Sequence, residues 1–310
     1  MPTAYLTNRG VVLVSGEDAS AFLQGLITAD VETMKPGEGH LAALLTPQGK
    51  ILFDFIITYA PVGQLVPEGA KAPDGAAPLR DLQGYFLDAP AATVADLVKR
   101  LNFYKLRAKV QVEQVFEFNE RLAVLAIWGE HFNQVGAIRF RDGRHPDLGD
   151  RLIFWEHDVA ACSFNEPEEY DAHRIGLGVP EGGKDFAFGD LFPHDADMDQ
   201  LGGVDFAKGC FIGQEVVSRM QHRGTARRRF VRASASAALP VAGTPVVADG
   251  KAIGALGSSA GRVGLALVRL DRAKEAMNAG VPITADGVAL ALTLPDWAKF
   301  TWPTIVAEEN

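Results

Sequence analysis

Lys208-Gly209-Cys210-Phe211-Ile212-Gly213-Gln214-Glu215-Val216-Val217-Ser218-Arg219 concentrates a thiol, cations, two glycines, an amide and a carboxylate in one short run. Ile212, Val216 and Met220 recur at i, i+4 and i+8, one helical face, so the run predicts a helix over 211–222. Gly213, one residue after Ile212, weakens that helix and leaves its first turn open to close backbone approach. Cys210 stands beside Lys208 and near a helix start, and both influences favour a thiolate. The alternative is a thiol buried as a small hydrophobe. Chemistry alone leaves the two readings open.

Working outward, 310 residues allow two or three domains or one elaborate one. A hydrophobic content of 47% with 22% charged residues is ordinary for a folded soluble protein. The net charge of −9 argues against a surface built for nucleic acid. The longest apolar run, Ile51–Ala60, is too short for a membrane span and contains Asp54. No basic region precedes an apolar stretch at the N-terminus, so no signal peptide is expected. Only Cys162 and Cys210 are present. A reduced, cytoplasmic protein is therefore expected, although one disulfide would be feasible. Two cysteines do not supply the four thiolates that iron–sulfur clusters commonly take.

Periodicity predicts strands at Val11–Val14, Leu41–Leu45, Ile51–Tyr59, Gly84–Asp88, Val110–Glu113, Leu122–Trp128 and Arg151–Trp155. It predicts helices from Gly16 to Leu26, Ala92 to Leu101 and Glu166 to Ile175. A carboxylate at Asp54, in the apolar centre of a strand, is costly unless it is paired or faces a cavity. Residues 61–80 carry Pro61, Pro67, Pro73 and Pro78 and read as an irregular insertion. Beyond the predicted helix at 211–222 come short strands separated by Gly and Pro, which suggests a small all-β barrel or sandwich. The expected division is an α+β core over 1–232 and a β-barrel over 233–310.

Several motifs fail. No phosphate loop, dinucleotide fingerprint or His-Glu-x-x-His is present. Gly257-Ser258-Ser259-Ala260-Gly261 has the spacing of a nucleophile elbow, but no helix follows it. His194-Asp195-Ala196-Asp197 reads as a solvated acidic loop rather than a cation site, and no metal site is expected. Arginines 219, 223, 227, 228, 229 and 232, with His222 and no acid, form a basic cluster. It reads as a solvated helix end, an anion site or, on weaker grounds, an RNA-binding surface.

Lys208-Gly209-Cys210-Phe211-Ile212-Gly213-Gln214-Glu215 closely resembles the Lys-Gly-Cys-Tyr-x-Gly-Gln-Glu signature of YgfZ-like folate-binding proteins. That family includes mitochondrial iron–sulfur assembly factors and is related to the glycine-cleavage T protein, an aminomethyltransferase. Further landmarks follow in the family's order: Phe22-Leu23-Gln24-Gly25-Leu26-Ile27-Thr28-Ala29-Asp30, Pro47-Gln48-Gly49-Lys50, Tyr104-Lys105-Leu106-Arg107, His173-Arg174-Ile175-Gly176 and Phe192-Pro193-His194-Asp195-Ala196. The resemblance implies intertwined α+β subdomains followed by a small β-barrel. It also implies tetrahydrofolate, or a one-carbon derivative, as ligand.

The implied role is assembly or repair of iron–sulfur clusters in client proteins, with indirect effects on tRNA modification and no direct nucleic-acid or membrane partner. An aminomethyltransferase-like enzyme is the alternative, and an RNA-binding module a second one. Asp54 matches the second aspartate of a T protein segment that reaches folate, with Phe53 at the first position. Cys210 and Asp54 are the implied reactive residues. Lys50, Arg107, Lys208, Gly213, Gln214 and Glu215 are carried as folate-site residues, with Gln214 and Glu215 fixing the geometry around the thiol. Arg174, Arg223 and Arg227 are candidates for the anionic tail. Phe211 replaces the usual Tyr. Val179-Pro180-Glu181-Gly182 stands where the T protein has an aromatic stretch, which puts its transfer chemistry in doubt.

Overall fold

The computed structural model describes residues 2–61, 83–117, 120–129, 137–156, 164–224 and 226–304. Beyond Pro61, the expected insertion over 61–80 lies outside the described residues, as does Cys162. The chain divides into two compact units, each discontinuous in sequence. The first comprises Met1–Leu45, Leu52–Tyr170 and Leu201–Ile212; the second comprises Thr46–Ile51, Asp171–Gln200 and Gly213–Asn310.

The elements of the first unit are β1 (Thr3–Tyr5), β2 (Arg9–Ser15), α1 (Ala19–Gln24), β3 (Glu38–Leu45), β4 (Ile51–Ala60), β5 (Gly84–Pro90), α2 (Val94–Tyr104), β6 (Gln111–Glu113), β7 (Phe116–Glu117), β8 (Glu120–Ile127), β9 (Ile138–Asp142) and β10 (Asp150–Trp155); α3 (Pro167–Leu177) begins in this unit and has most of its residues in the second. The strands form one sheet in the order β1-β8-β10-β9-β3-β4-β5-β2-β6, with β7 paired to β8. Alternation along β4 sorts its side chains. Phe53, Phe55 and Ile57 join a core with Leu23 of α1 and Val94, Leu97 and Leu101 of α2. Asp54, Ile56 and Thr58 take the other face. Ile56 lies directly opposite Asp88 of β5, and opposed residues point to the same side of a sheet. Asp54 and Asp88 therefore share a face.

That face is enclosed. β5 and β10 stand four steps apart in the strand order, which in a flat sheet is roughly 19 Å at the usual strand spacing. Asp88 of β5 nevertheless pairs directly with Arg151 of β10, so the sheet curls until its two halves meet. The contact belongs to a buried network. Arg9 Nε donates to Asp88 Oδ1 at 2.6 Å, and Arg151 Nε donates to Asp142 Oδ2 at 3.0 Å. Arg144 grips Asp142 through Nε at 3.0 Å and a second nitrogen at 2.8 Å. The Tyr170 hydroxyl accepts from Arg144 at 2.9 Å and Arg151 at 2.8 Å. Burial opposes ionisation of Asp142, but the charges of Arg144 and Arg151 prevail and hold it well below the usual carboxylate range.

The second unit holds α4 (Gln214–Arg223), β11 (Arg228–Ser234), β12 (Pro245–Ala248), β13 (Lys251–Ala260), β14 (Val263–Arg269), α5 (Leu270–Ala279), β15 (Ile283–Ala285), β16 (Val288–Ala289) and β17 (Ala291–Thr293). Its seven strands order as β16-β15-β12-β13-β14-β11-β17 around a core that includes Val231, Val246, Leu256, Val268 and Leu270. The expected boundary at 232 falls within β11. One helix departs from the all-β expectation: α5 buries Leu270, Ala273 and Ala276 and ends at Gly280 in the left-handed region. Two alanines on its inner face carry too weak an apolar signal to be read as a stripe. Gly257–Ala260 continues β13, and β14 follows directly, so the nucleophile-elbow spacing belongs to a β-hairpin.

Removing one side of the buried network strands the other. Asp88→Ala is expected to cost about 3–5 kcal/mol in urea unfolding, because Arg9 and Arg151 lose their shared carboxylate. A loss below about 1 kcal/mol would show that the network is dispensable.

Candidate functional site

In the first unit, the Ile27-Thr28-Ala29-Asp30 landmark meets the segment leading into the signature. Thr28 Oγ1 donates to Gly203 O at 2.6 Å and accepts from Ala43 N at 2.8 Å, while Asp205 N donates to Thr28 O at 2.9 Å. Asp205 Oδ1 receives the N–H groups of Ala207 and Lys208 at 2.7 and 3.0 Å, a local turn that aims the lysine. Lys208 Nζ then donates to Ile27 O at 2.8 Å and Ala29 O at 2.6 Å and lies 5.5 Å from the Phe211 ring centroid. Burial pushes its ammonium down to about 8 against the pull of Asp30, Asp205 and Glu32. Asp30 is itself fixed by Gln24, Thr33 and the Glu32 N–H, at 2.8–3.0 Å. Burial alone would raise its pKa, but these bonds and Lys208 bring it below the ordinary carboxylate value.

This geometry changes the reading of Cys210. The thiol is free and exposed, so the buried-hydrophobe alternative is excluded. The neighbouring lysine spends its donors on two carbonyls and an aromatic face rather than on the sulfur. Lys208 is thus a clamp for the 27–30 turn. The helix also starts later than expected: Gly213 is its N-cap at φ 80°, a conformation incompatible with a helical interior. Asp54 is 7% exposed on the enclosed face of β4.

In the second unit the Pro47-Gln48-Gly49-Lys50 turn packs on the first turn of α4. A Cβ at Gly49, whose φ is +82°, would lie 3.0 Å from Val216 Cβ and 3.2 Å from Gly213 O, so glycine is required there. Lys50 Nζ donates to Asp190 O at 2.6 Å and lies 5.2 Å from the Phe192 ring centroid. The following landmark, Phe192–Ala196, is latched from two sides. His194 Nε2 lies 3.0 Å from Gln221 Oε1 of α4, and Arg229 of β11 donates to His194 O at 2.7 Å.

The loop at 194–197 is therefore not a solvated acidic loop. His194, Asp195 and Asp197 are buried; Arg228 reaches Asp195 at 2.7 Å, and Arg229 pairs with Asp197 and Asp199. Burial raises Asp197 well above the carboxylate range despite Arg229. The same contacts engage much of the basic cluster within the protein. Arg219 pairs with Glu215, Arg228 and Arg229 with the aspartates, and Arg232 with Asp296 at 3.8 Å. Arg223 and Arg227 are the exposed arginines of the cluster without an ion pair among the described residues.

One further site expectation is corrected. Arg174 is fully buried and is no free anion anchor. Its Nε donates to Asp171 at 2.9 Å and its Nη atoms to Val179 O at 3.0 Å, Asp185 at 2.7 Å and Ser258 at 2.9 Å. Glu215 is exposed and is paired with Arg219 on the surface of α4. Gln214 is half-buried at the start of α4, and Arg107 is exposed beyond α2. Thr28 and Asp205, which organise the signature's approach, were not anticipated as site residues. The position of Thr28 inside a family landmark was the available signal. No group of His, Cys, Asp and Glu among the described residues is arranged to hold a metal ion, and no described helix is long and apolar enough to cross a membrane.

Two outcomes follow. Cys210→Ser should change stability by no more than about 0.5 kcal/mol while abolishing rapid labelling at this position by a thiol reagent. For Lys208, the folded-state value of about 8 lies below the unfolded 10.5, so between these values the unfolded chain holds the extra proton and raising pH favours folding. Wild type should therefore gain stability relative to Lys208→Met across that window, measured by urea midpoints. A constant difference would contradict the burial.

Residues 227–300 match the family described as CAF17, C-terminal beta-barrel domain. The mitochondrial iron–sulfur cluster assembly factor IBA57 of Homo sapiens is 29% identical, the alignment covering 97% of this chain and 85% of the relative. The mitochondrial IBA57 homologue of Coccidioides immitis (strain RS) is 30% identical, with 86% of this chain and 71% of the relative covered. The glycine cleavage system aminomethyltransferase T of Bartonella henselae has the same fold, with a TM-score of 0.68 over 96% of this chain and 86% of that one at 17% identity. The α+β T protein-like fold with a C-terminal β-barrel is thus as expected. The cytoplasmic location is not: the relatives are named as mitochondrial, and a low cysteine count does not say which reducing compartment holds a protein. A shared fold alone would leave the lineage open, but the likeness to the Coccidioides protein extends along most of both chains, and this chain belongs to the IBA57 family of iron–sulfur cluster assembly factors.

Proposed function

We propose that this protein binds tetrahydrofolate, or a one-carbon derivative, and serves the assembly or repair of iron–sulfur clusters in client proteins. The observation that carries the folate reading is Asp54, a nearly buried carboxylate on the enclosed face of a curled sheet of T protein type. Whatever contacts it makes within the protein, an ionised carboxylate has lone pairs for more than one donor. A pterin presents several N–H groups, and an ionised carboxylate accepts without donating, so the donor set and the acceptor fit. Asp54 would hold the pterin, and folate would supply a one-carbon carrier. Among the other proposed folate contacts, Arg107 and Lys208 belong to the same unit as Asp54, and Lys50, Gly213, Gln214 and Arg223 belong to the second unit. Arg223 and Arg227, both exposed, are better placed for an anionic tail than Arg174.

The cluster itself is cargo. Cys210 offers one accessible thiol, and clusters are commonly held by four, so partners must contribute the remaining ligands. Effects on tRNA modification would follow indirectly, through iron–sulfur enzymes that modify tRNA. An aminomethyltransferase activity is the second reading, favoured by the shared fold.

Calorimetry separates the possibilities. Wild type should bind tetrahydrofolate, Asp54→Asn should bind about tenfold or more weakly, and Cys210→Ser should bind as wild type does. Absence of binding by wild type would end the folate reading. Aminomethyl transfer from a lipoylated carrier to tetrahydrofolate would instead favour the enzyme.

A further inference from the structure

The second half of α2 and the turn after it carry a surface that, Arg107 apart, the folate site does not use. Asp96, Lys99, Arg100 and Phe103 recur at i, i+3, i+4 and i+7 along the outward stripe of α2, opposite buried Val94, Leu97 and Leu101. With Leu52 and Phe53 of β4 they line a groove of about 550 Å³. Phe103 is 72% exposed, and Leu106, just beyond, is 90% exposed. Leu106 has φ 43°, the left-handed region that glycine or asparagine ordinarily fills at a helix end. A chain that tolerates this strain to hold a leucine in water is displaying a contact.

Charge says what kind. Lys99, Arg100, Lys105 and Arg107 collar the two apolar side chains, and none makes an ion pair among the described residues. Lys109 is the one neutralised cation of the stretch, bound to Glu17 at 2.7 Å. On a protein of net charge −9 this is a local reversal of sign. We propose that this face docks an acidic amphipathic segment of a partner protein: its apolar side chain enters the groove beside Phe53 and Phe103 and packs on Leu106, while its carboxylates meet Lys99, Arg100, Lys105 and Arg107. A concave groove suits a side chain better than a lipid surface, and two apolar groups are too few to anchor a bilayer. The overall negative charge disfavours a second copy as the occupant.

The test uses the full chain and a labelled helical peptide of about 18 residues, with Leu at i, i+3, i+4 and i+7 flanked by Glu, followed by fluorescence anisotropy. Wild type should bind it, more weakly as salt rises. Leu106→Gly should weaken binding about tenfold, while its thermal midpoint holds or rises because glycine accepts φ 43° without strain. The double variant K99E/R100E should lose the Glu peptide and gain one bearing Lys at the same positions. The proposal is overturned if the Glu peptide does not bind, if the variants bind it unchanged, if wild type sediments with phosphatidylserine vesicles instead, or if Leu106→Gly abolishes self-association of the chain.

Discussion

The first unit depends on a buried contest of charge. Arg9 and Arg151 share Asp88, Arg151 and Arg144 share Asp142, and Tyr170 closes the set with its hydroxyl. Three guanidiniums against two carboxylates is an expensive arrangement in a low-dielectric interior unless every donor finds an acceptor. It is tolerated because it joins strands that no backbone ladder joins. Asp88 and Arg151 sit on strands four steps apart, and only a curled sheet brings them together. The curl turns one face of β4 inward, and Asp54 rides on that face. The proposed ligand site thus follows from the same constraint that closes the sheet.

The signature does different work on its two sides. Residues up to Ile212 belong to the first unit, where Lys208 clamps the Ile27–Ala29 carbonyls. From Gly213 the chain belongs to the second unit, where the left-handed N-cap and Gly49 let a turn and a helix start approach closely. Cys210 lies in the short exposed stretch between these fixtures. Its chemistry rests on accessibility, since the nearest signature cation is engaged elsewhere. The arginines after α4 similarly serve structure: Arg228 and Arg229 hold the Phe192–Asp199 loop to β11, and Arg174 organises the loop at 179–185 within its own unit.

Much of this was legible from residue order. The long strands β4 and β8 show as continuous apolar runs, and α2 shows as a stripe of Val94, Leu97 and Leu101. β1 escaped notice because three residues carry no period, and β9 because Arg139 and Arg141 disguise a simple alternation of Ile138 and Phe140. The family landmarks correctly marked segments that matter, but not what each side chain does. An arginine reads alike whether it awaits an anion or lies buried among Asp171, Asp185 and Ser258, and that difference is a tertiary fact. The acidic loop was misjudged for the same reason: its counterions come from β11, about thirty residues on.

The central claim, that a folate-dependent iron–sulfur assembly factor works through Asp54 and an exposed Cys210, meets its most direct test in cells lacking their own factor of this family. The measurement is the activity of an endogenous iron–sulfur enzyme after supplying wild type, Asp54→Asn or Cys210→Ala at matched abundance. Wild type should restore activity, and both variants should fall well short of it. Full restoration by both variants would contradict the account.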